Sequence, residues 1–188
     1  IEAVINEAKR QLDQEYAKMA NVMNLEWLTC VKEKGEAFRG VTLGRQQNFY
    51  RTEGDGTVKQ VVIISDALRY EVAVELMQQL AKEKHIATLT PYLAMLPTET
   101  KYCKPALLPH HSLGMLGTEM LVDGTVLNTT DQRTAHLCKY KEGAVCMRYE
   151  EVMNGDLSAM RELFKRPLVY IFHDTIDEAS HSQSPFEV

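Results

Sequence analysis

Val61-Val62-Ile63-Ile64-Ser65-Asp66 is a run of four β-branched residues that stops at a serine and an aspartate. An unbroken apolar run of this length, bounded by polar residues, predicts a strand buried on both faces of a parallel sheet. The period then changes at once. Leu68, Val72, Leu76 and Leu80 recur every four positions, which predicts a helix over 67–83. A strand running straight into a helix is the first half of a βα unit and places the chain in the α/β class. Leu168-Val169-Tyr170-Ile171-Phe172 repeats the strand signature near the end of the chain and stops at His173-Asp174. Between the two, the pattern predicts a strand over 87–89, a turn at Pro97-Thr98-Glu99-Thr100 and a helix over 104–108 stopped by Pro109. A hairpin over 120–127 is expected around Asp123-Gly124, then a helix over 131–140 capped by Thr129 or Thr130. A strand over 144–148 and a helix over 156–165, started by Asp156 or Ser158, complete the series. The alternation describes a mostly parallel, doubly wound sheet.

Upstream, Ile1, Val4, Ile5, Ala8, Leu12, Met19, Val22 and Met23 fall at helical spacing and form one stripe, opposite Lys9, Arg10, Asp13, Gln14 and Lys18. A helix reaching about Lys34 is expected, packed against the main body or closing an upstream helical domain. Gly35, Gly40 and Gly44 interrupt it. A short helix over 46–51 and a turn at Glu53-Gly54-Asp55-Gly56 follow. Residues 1–57 therefore read as a helical extension and 58–188 as the α/β domain. The chain opens without a methionine, inside a helix, and stops soon after its last strand, so it is expected to be a piece of a longer protein.

The 188 residues carry 21 basic and 26 acidic side chains, a net charge of −5. That balance excludes a whole-surface binder of nucleic acid or anionic membrane, while a local basic groove stays open. No apolar run approaches the ~20 residues that cross a bilayer. The four cysteines show no C-x-x-C spacing. Free thiols in a reducing, cytoplasmic compartment are the expectation.

Ligands of open parallel sheets sit beyond the carboxyl ends of the strands. One strand here delivers Asp66, and the other delivers His173, Asp174 and then Asp177. A lone aspartate after a strand ordinarily caps a helix, and Arg69 and Tyr70 would ordinarily be surface or packing residues. Convergence of acids and a histidine at one sheet edge points instead to a site. Asp177-Glu178-Ala179-Ser180-His181 has D-x-x-x-H spacing, which in a helix puts carboxylate and imidazole on one face. An oxygen and a nitrogen donor together suit Zn²⁺ or another first-row ion. His173-Asp174 also invites comparison with histidine-aspartate phosphohydrolases, but those build their site from helices and this pair closes a strand. In the turn, Thr98 or Thr100 either caps the following helix or offers an activated hydroxyl.

Three stretches taken together resemble a known family: 61–71, from Val61 through Asp66 to Glu71; Met95-Leu96-Pro97-Thr98-Glu99-Thr100 running to Leu107-Leu108-Pro109; and Val169 to Asp177. They are similar, in the same order, to the PglZ domain of the alkaline phosphatase superfamily, found in the BREX and phage growth limitation defence systems of bacteria. The resemblance covers about Val58 to the end of the chain. It implies an alkaline-phosphatase-like fold and a metal-dependent phosphohydrolase, phosphatase or phosphodiesterase, with two metal ions. Zinc is the expected metal, with manganese and magnesium as alternatives. Asp66 matches a ligand of one ion, Thr100 the nucleophile and a metal contact, and Asp177 and His181 ligands of the other ion. Arg69 is a candidate phosphate contact, or else an ion-pair partner of Glu71 or Glu75. Relatives often have glycine where Ser180 stands, and they use a later Asp-His pair and a further His that do not follow His181 here. About half of each metal site is therefore expected, with weak metal binding and no activity in isolation. A phosphoester substrate, DNA among the candidates, and defence proteins such as a DNA methyltransferase are the implied partners. The competing expectation is a silent scaffold that binds such a partner.

Overall fold

The computed structural model describes residues 2–34, 41–50 and 58–182. The Glu53-Gly54-Asp55-Gly56 turn, Gly35 and Gly40 lie outside the described residues. The chain divides into two units, Ile1–Thr42 and Leu43–Val188. Residues 43–50 thus belong with the larger unit rather than with the extension expected over 1–57.

The first unit holds one long helix, α1 (Glu2–Lys34). The expected apolar stripe exists in the sequence, yet Val4, Leu12, Met19 and Met23 are all exposed. Surface pairs of the i, i+3 kind, Arg10 with Glu7 and Lys18 with Glu15, run along it.

In the second unit, β1 (Gly44–Arg45) leads into a 3₁₀ turn at Gln46–Asn48 that passes into helix at Phe49 and Tyr50, within the span where a short helix was expected. The strand β2 (Gln60–Ser65) is followed by α2 (Tyr70–Lys82). β3 (Tyr92–Leu93) then pairs in parallel with β1. The strand expected over 87–89 is not formed, and the extended pairing falls on residues 92–93 instead. Gly44 lets the Tyr92 ring lie against this pairing, because a Cβ there would stand 2.9 Å from the ring and make it shift. Next come α3 (Thr100–Ala106) and the antiparallel strands β4 (Leu113–Leu116), β5 (Glu119–Val122) and β6 (Thr125–Val126). The expected Asp123-Gly124 turn joins β5 to β6, with both residues at positive φ, 48° and 76°. The β4 strand was not anticipated.

The helix α4 (Thr130–Tyr140) starts at a full capping box between Thr129 and Gln132. β7 (Val145–Arg148), α5 (Tyr149–Asn154), α6 (Leu157–Leu163), β8 (Leu168–His173) and α7 (Thr175–Ser182) complete the order. Asp156 caps α6 by accepting a 2.8 Å hydrogen bond from Ala159 N–H.

The central ladder is parallel, in the order β2-β8-β7. β8 is buried along both faces. Leu168, Tyr170 and Phe172 pack with Leu108, Val122, Leu127 and Leu137 on one side. On the other, Val169 and Ile171 pack with Val152, Met160 and Leu163. Covering both faces is what makes its five apolar residues consecutive rather than alternating. β2 departs from that expectation. Ile64 is buried, but Val61 and Ile63 are exposed, and so are Val72 and Leu76 of α2. Among the described residues no helix lies over that face of β2. The architecture is therefore mixed α/β with parallel sheets, and helices cover both faces only around β8.

The β4–β6 hairpin is tied to α4 through Asp123. Its Oδ1 accepts from the backbone N–H groups of His111 and Ser112 at 2.9 and 2.8 Å, and its Oδ2 accepts from the Tyr140 hydroxyl. Burial works against the Asp123 charge, but the Tyr140 hydroxyl and the two backbone N–H groups outweigh it. They hold the carboxyl well below the usual range.

Candidate active site at the carboxyl edge of the sheet

β2 and β8 run side by side in register, Val61 beside Val169 through Ser65 beside His173. Because both strands are parallel and both end in aspartate, Asp66 and Asp174 leave the sheet at the same edge. The Asp66 backbone N–H donates to His173 C=O at 2.9 Å and extends the ladder by one bond. One step earlier, Ser65 Oγ lies 2.8 Å from His173 Nδ1, and the His173 ring meets Tyr149 edge-on at 4.6 Å.

Asp66 does not cap a helix. α2 begins only at Tyr70, its N-cap is Arg69, and no side chain bonds there. Asp66 Oδ1 instead accepts from Ala67 N–H at 3.0 Å, in a turn that holds Ala67 at φ 60°. Its other oxygen, Oδ2, lies 3.1 Å from Lys104 Nζ. The same ammonium lies 2.7 Å from Asp174 Oδ1. The Lys104 side chain is only 11% exposed, so its charge is matched inside the protein rather than by water.

Thr100 is the first residue of α3, and Lys104 follows it by one turn, so the two share a helix face. The N-cap of α3 is Glu99, without a side-chain cap bond. Neither Thr98 nor Thr100 therefore serves as the cap, the ordinary role for threonine at this position. Both line a cavity of about 170 Å³ with Gln46, Ser65, Asp66, Cys103 and Lys104.

The turn before Thr100 is held from two directions. Gln46 Nε2 donates to Cys103 C=O at 3.3 Å, and Met95 N–H donates to Gln46 Oε1 at 3.1 Å. The Cys103 thiol reaches Met95 C=O at 3.6 Å and Pro97 C=O at 3.5 Å, next to the cis Leu96–Pro97 peptide. Burial and, after it, the nearby Asp66 charge raise the Cys103 pKa. At neutral pH Cys103 is thus a thiol and not a thiolate, which leaves the hydroxyls of Thr98, Thr100 and Ser65, the last engaged with His173, as the nucleophile candidates of the cavity.

Asp177 and His181 lie on α7, directly after Asp174, at the same sheet edge as Asp66. The D-x-x-x-H spacing brings Asp177 Oδ1 within 3.6 Å of His181 Nε2, with the imidazole well exposed. Neither side chain lines the Thr100 cavity. Arg69 is exposed and, among the described residues, pairs with neither Glu71 nor Glu75.

As a test of metal fit, two carboxylates already converge on one cation position, and hard oxygen donors of this kind suit a divalent ion. Among the described residues no group of three His, Cys, Asp or Glu side chains converges, so the fit is to part of a site. Sequence reasoning missed Lys104 and Gln46. It noted Asp174 at a strand end without giving it a role. The available signal was the four-residue spacing from Thr100 to Lys104.

Comparison with known proteins agrees with the motif order. The BREX system PglZ alkaline phosphatase-like domain matches residues 47–187. The chain is 28% identical over 177 residues to the alkaline phosphatase-like protein PglZ of Bacillus cereus (strain H3081.97), covering 89% of this chain and 21% of that protein. It is 35% identical over 151 residues to the alkaline phosphatase-like protein BrxZ of Escherichia coli O9:H4 (strain HS), covering 74% of this chain and 17% of that protein. It thus spans about a fifth of the length of these curated relatives. No solved structure matches it significantly. With the Asp66 strand, the Pro97–Thr100 turn and the Asp174–Asp177 strand end all inside the matched region, the chain belongs to the PglZ family of BREX alkaline phosphatase-like domains.

Proposed function

We propose that the chain is part of a metal-dependent phosphohydrolase, a phosphatase or phosphodiesterase, of a bacterial phage-defence system. One observation carries the reading: Asp66 and Thr100 line a single cavity at the carboxyl edge of a parallel ladder, and neither is used as a helix cap. Thr100 is the nucleophile in this reading. Its Oγ forms a bond to phosphorus as the ester P–O bond breaks, and the alcohol leaves with a proton. Water then breaks the Oγ–P bond, releasing phosphate from a monoester substrate or a phosphomonoester from a diester, and restoring the hydroxyl.

Asp66 and Asp174 would hold one divalent ion, and Asp177 with His181 would contribute to a second. Zinc suits the mixed donors, with manganese or magnesium as alternatives. Bound there, such ions supply Lewis-acid stabilisation of the attacking and leaving oxygens. Gln46 and Cys103 keep the Met95–Pro97 turn in place, so that Thr100 faces the cavity. Arg69, exposed at the start of α2, is available to a phosphate or to the backbone of DNA. In the whole protein the β2-β8-β7 ladder would be the centre of a larger doubly wound sheet, with cover over the bare Val61 and Ile63 face. Methyltransferases and other defence proteins are the partner class this membership suggests.

The second reading is a silent scaffold. It is favoured by Lys104, whose ammonium neutralises the carboxylate assigned to a metal. Assay of the full-length protein on p-nitrophenyl phosphate and bis-p-nitrophenyl phosphate with Zn²⁺, Mn²⁺ or Mg²⁺ separates the two. Turnover that Thr100→Ala abolishes supports the hydrolase. Absence of turnover on both esters with all three metals favours the scaffold.

A further inference from the structure

The Asp66, Lys104 and Asp174 group carries two carboxylates against one ammonium, a net charge of −1 beside Thr100. An anionic ester entering such a cavity is repelled. A second cation reverses the sign, but the space between the carboxylates is filled by Lys104 Nζ, at 3.1 Å from Asp66 and 2.7 Å from Asp174. A divalent ion and this ammonium cannot both occupy that position. Lysine suits a temporary occupant. It is a point charge on a flexible four-carbon stem, with no fixed fork to lock it to one partner. Its helix position, one turn after Thr100, lets the head group swing towards the hydroxyl while the stem stays in the cavity wall.

We infer that Lys104 is the exchangeable counter-ion of the Asp66 and Asp174 pair, holding the carboxylates together until a divalent ion takes them and then meeting the substrate's phosphoryl oxygens beside Thr100. The inference rests on the hydrolase reading for its second half only; the competition for the carboxylates stands on the ion-pair geometry. It gives Lys104 two opposed effects, weakening metal binding and strengthening anion binding once metal is present. A purely structural ion pair has no reason to produce that split.

The test uses the full-length protein, Mn²⁺ as the metal probe and orthovanadate as the anion probe, both read by titration calorimetry. Lys104→Gln is expected to bind Mn²⁺ at least about 10-fold more tightly than the wild type. Orthovanadate is expected to bind the Mn²⁺-loaded variant at least about 10-fold more weakly. Lys104→Arg, which still bridges the two carboxylates, should resemble the wild type in Mn²⁺ affinity. A Lys104→Gln protein that binds Mn²⁺ no more tightly overturns the inference. If that variant folds only with Mn²⁺ present, and its melting temperature climbs more steeply with Mn²⁺ than that of the wild type, the exchange is supported. A variant that Mn²⁺ does not rescue overturns it. Unchanged Mn²⁺ affinity alongside Thr100-dependent turnover would remove this inference and leave the hydrolase. Tighter Mn²⁺ binding in a protein with no turnover would remove the hydrolase and leave the exchange.

Discussion

Asp66 and Asp174 leave neighbouring parallel strands at the same level, and one ammonium, that of Lys104, stands within 3.1 Å of both carboxylates. The register of β2 on β8 sets the two carboxylates side by side. Each strand ends in aspartate, and the Ser65 and His173 pair one step earlier fixes their alignment.

The two threonines of the turn should separate cleanly. In the full-length protein, Thr100→Ala is expected to lower phosphoester turnover on the order of 10³-fold or more, because the covalent route is gone. Thr98→Ala should stay within about 10-fold of wild type. Neither residue caps α3, so urea unfolding should place both variants within about 0.5 kcal/mol of wild type. A dead Thr98→Ala beside an active Thr100→Ala would reverse the assignment within the turn. Full rates in both would remove the nucleophile from this turn.

Ala67 sits at φ 60°, in the left-handed region that alanine disfavours, directly after Asp66. Ala67→Gly should therefore raise unfolding stability by about 0.5–1 kcal/mol, the gain from the glycine backbone exceeding its entropic cost. Denaturant titration reads this directly, and a loss of stability would mean that the alanine methyl group makes a compensating contact.

Asp123 links folding to pH. Its pKa is lowered in the folded protein, so its contribution is fully present above the ordinary carboxylate range near ~3.9 and is lost as pH falls below that towards the folded value. At pH 7, Asp123→Asn is expected to cost about 1–2 kcal/mol, since the residue is partly exposed and the charge-assisted bonds are worth less than in a dry core. The gap between variant and wild type should narrow in unfolding curves taken progressively below pH ~4. A gap that is constant from pH 7 to 2 would contradict the assignment.

The thiols should react in the order of their burial. Cys30 and Cys138 are exposed, whereas Cys146 is buried and its pKa is pushed up to about 12, chiefly by burial. A disulfide-exchange reagent at pH 8 should label Cys30 and Cys138 rapidly and Cys103 slowly, with Cys146 labelled only on unfolding. Fast labelling of Cys103 in the native protein would mean that the cavity turn opens in solution.

The strand runs at 61–64 and 168–172 and the Asp123-Gly124 turn were legible in the order of residues, and the caps of α4 and α6 were legible to within two candidates each, of which the structure selects Thr129 and Asp156. Each depends on neighbours a few positions away: β-branched runs, turn residues at fixed offsets, a hydroxyl or carboxylate three residues before the N–H it accepts from. The D-x-x-x-H spacing was legible for the same reason, because an α-helix turns 100° per residue whatever surrounds it. Burial of β2 was misread. Val61 and Ile63 carry the same side chains as a buried strand, and whether a face is covered depends on which helix lies over it. Gln46 was invisible, and Lys104 was marked only by its four-residue spacing from Thr100. A lysine one turn into a short helix looks like a surface residue, and a glutamine in a 3₁₀ turn carries no signature. Only the parallel register of β2 and β8, strands separated by more than a hundred residues of chain, sets the two aspartates side by side, and only the packing of α3 against that edge carries the Lys104 ammonium between them. Local chemistry decides which elements form. Which charges meet is decided by how distant elements are aligned, because a Coulomb pair depends on distance in space and not on distance along the chain.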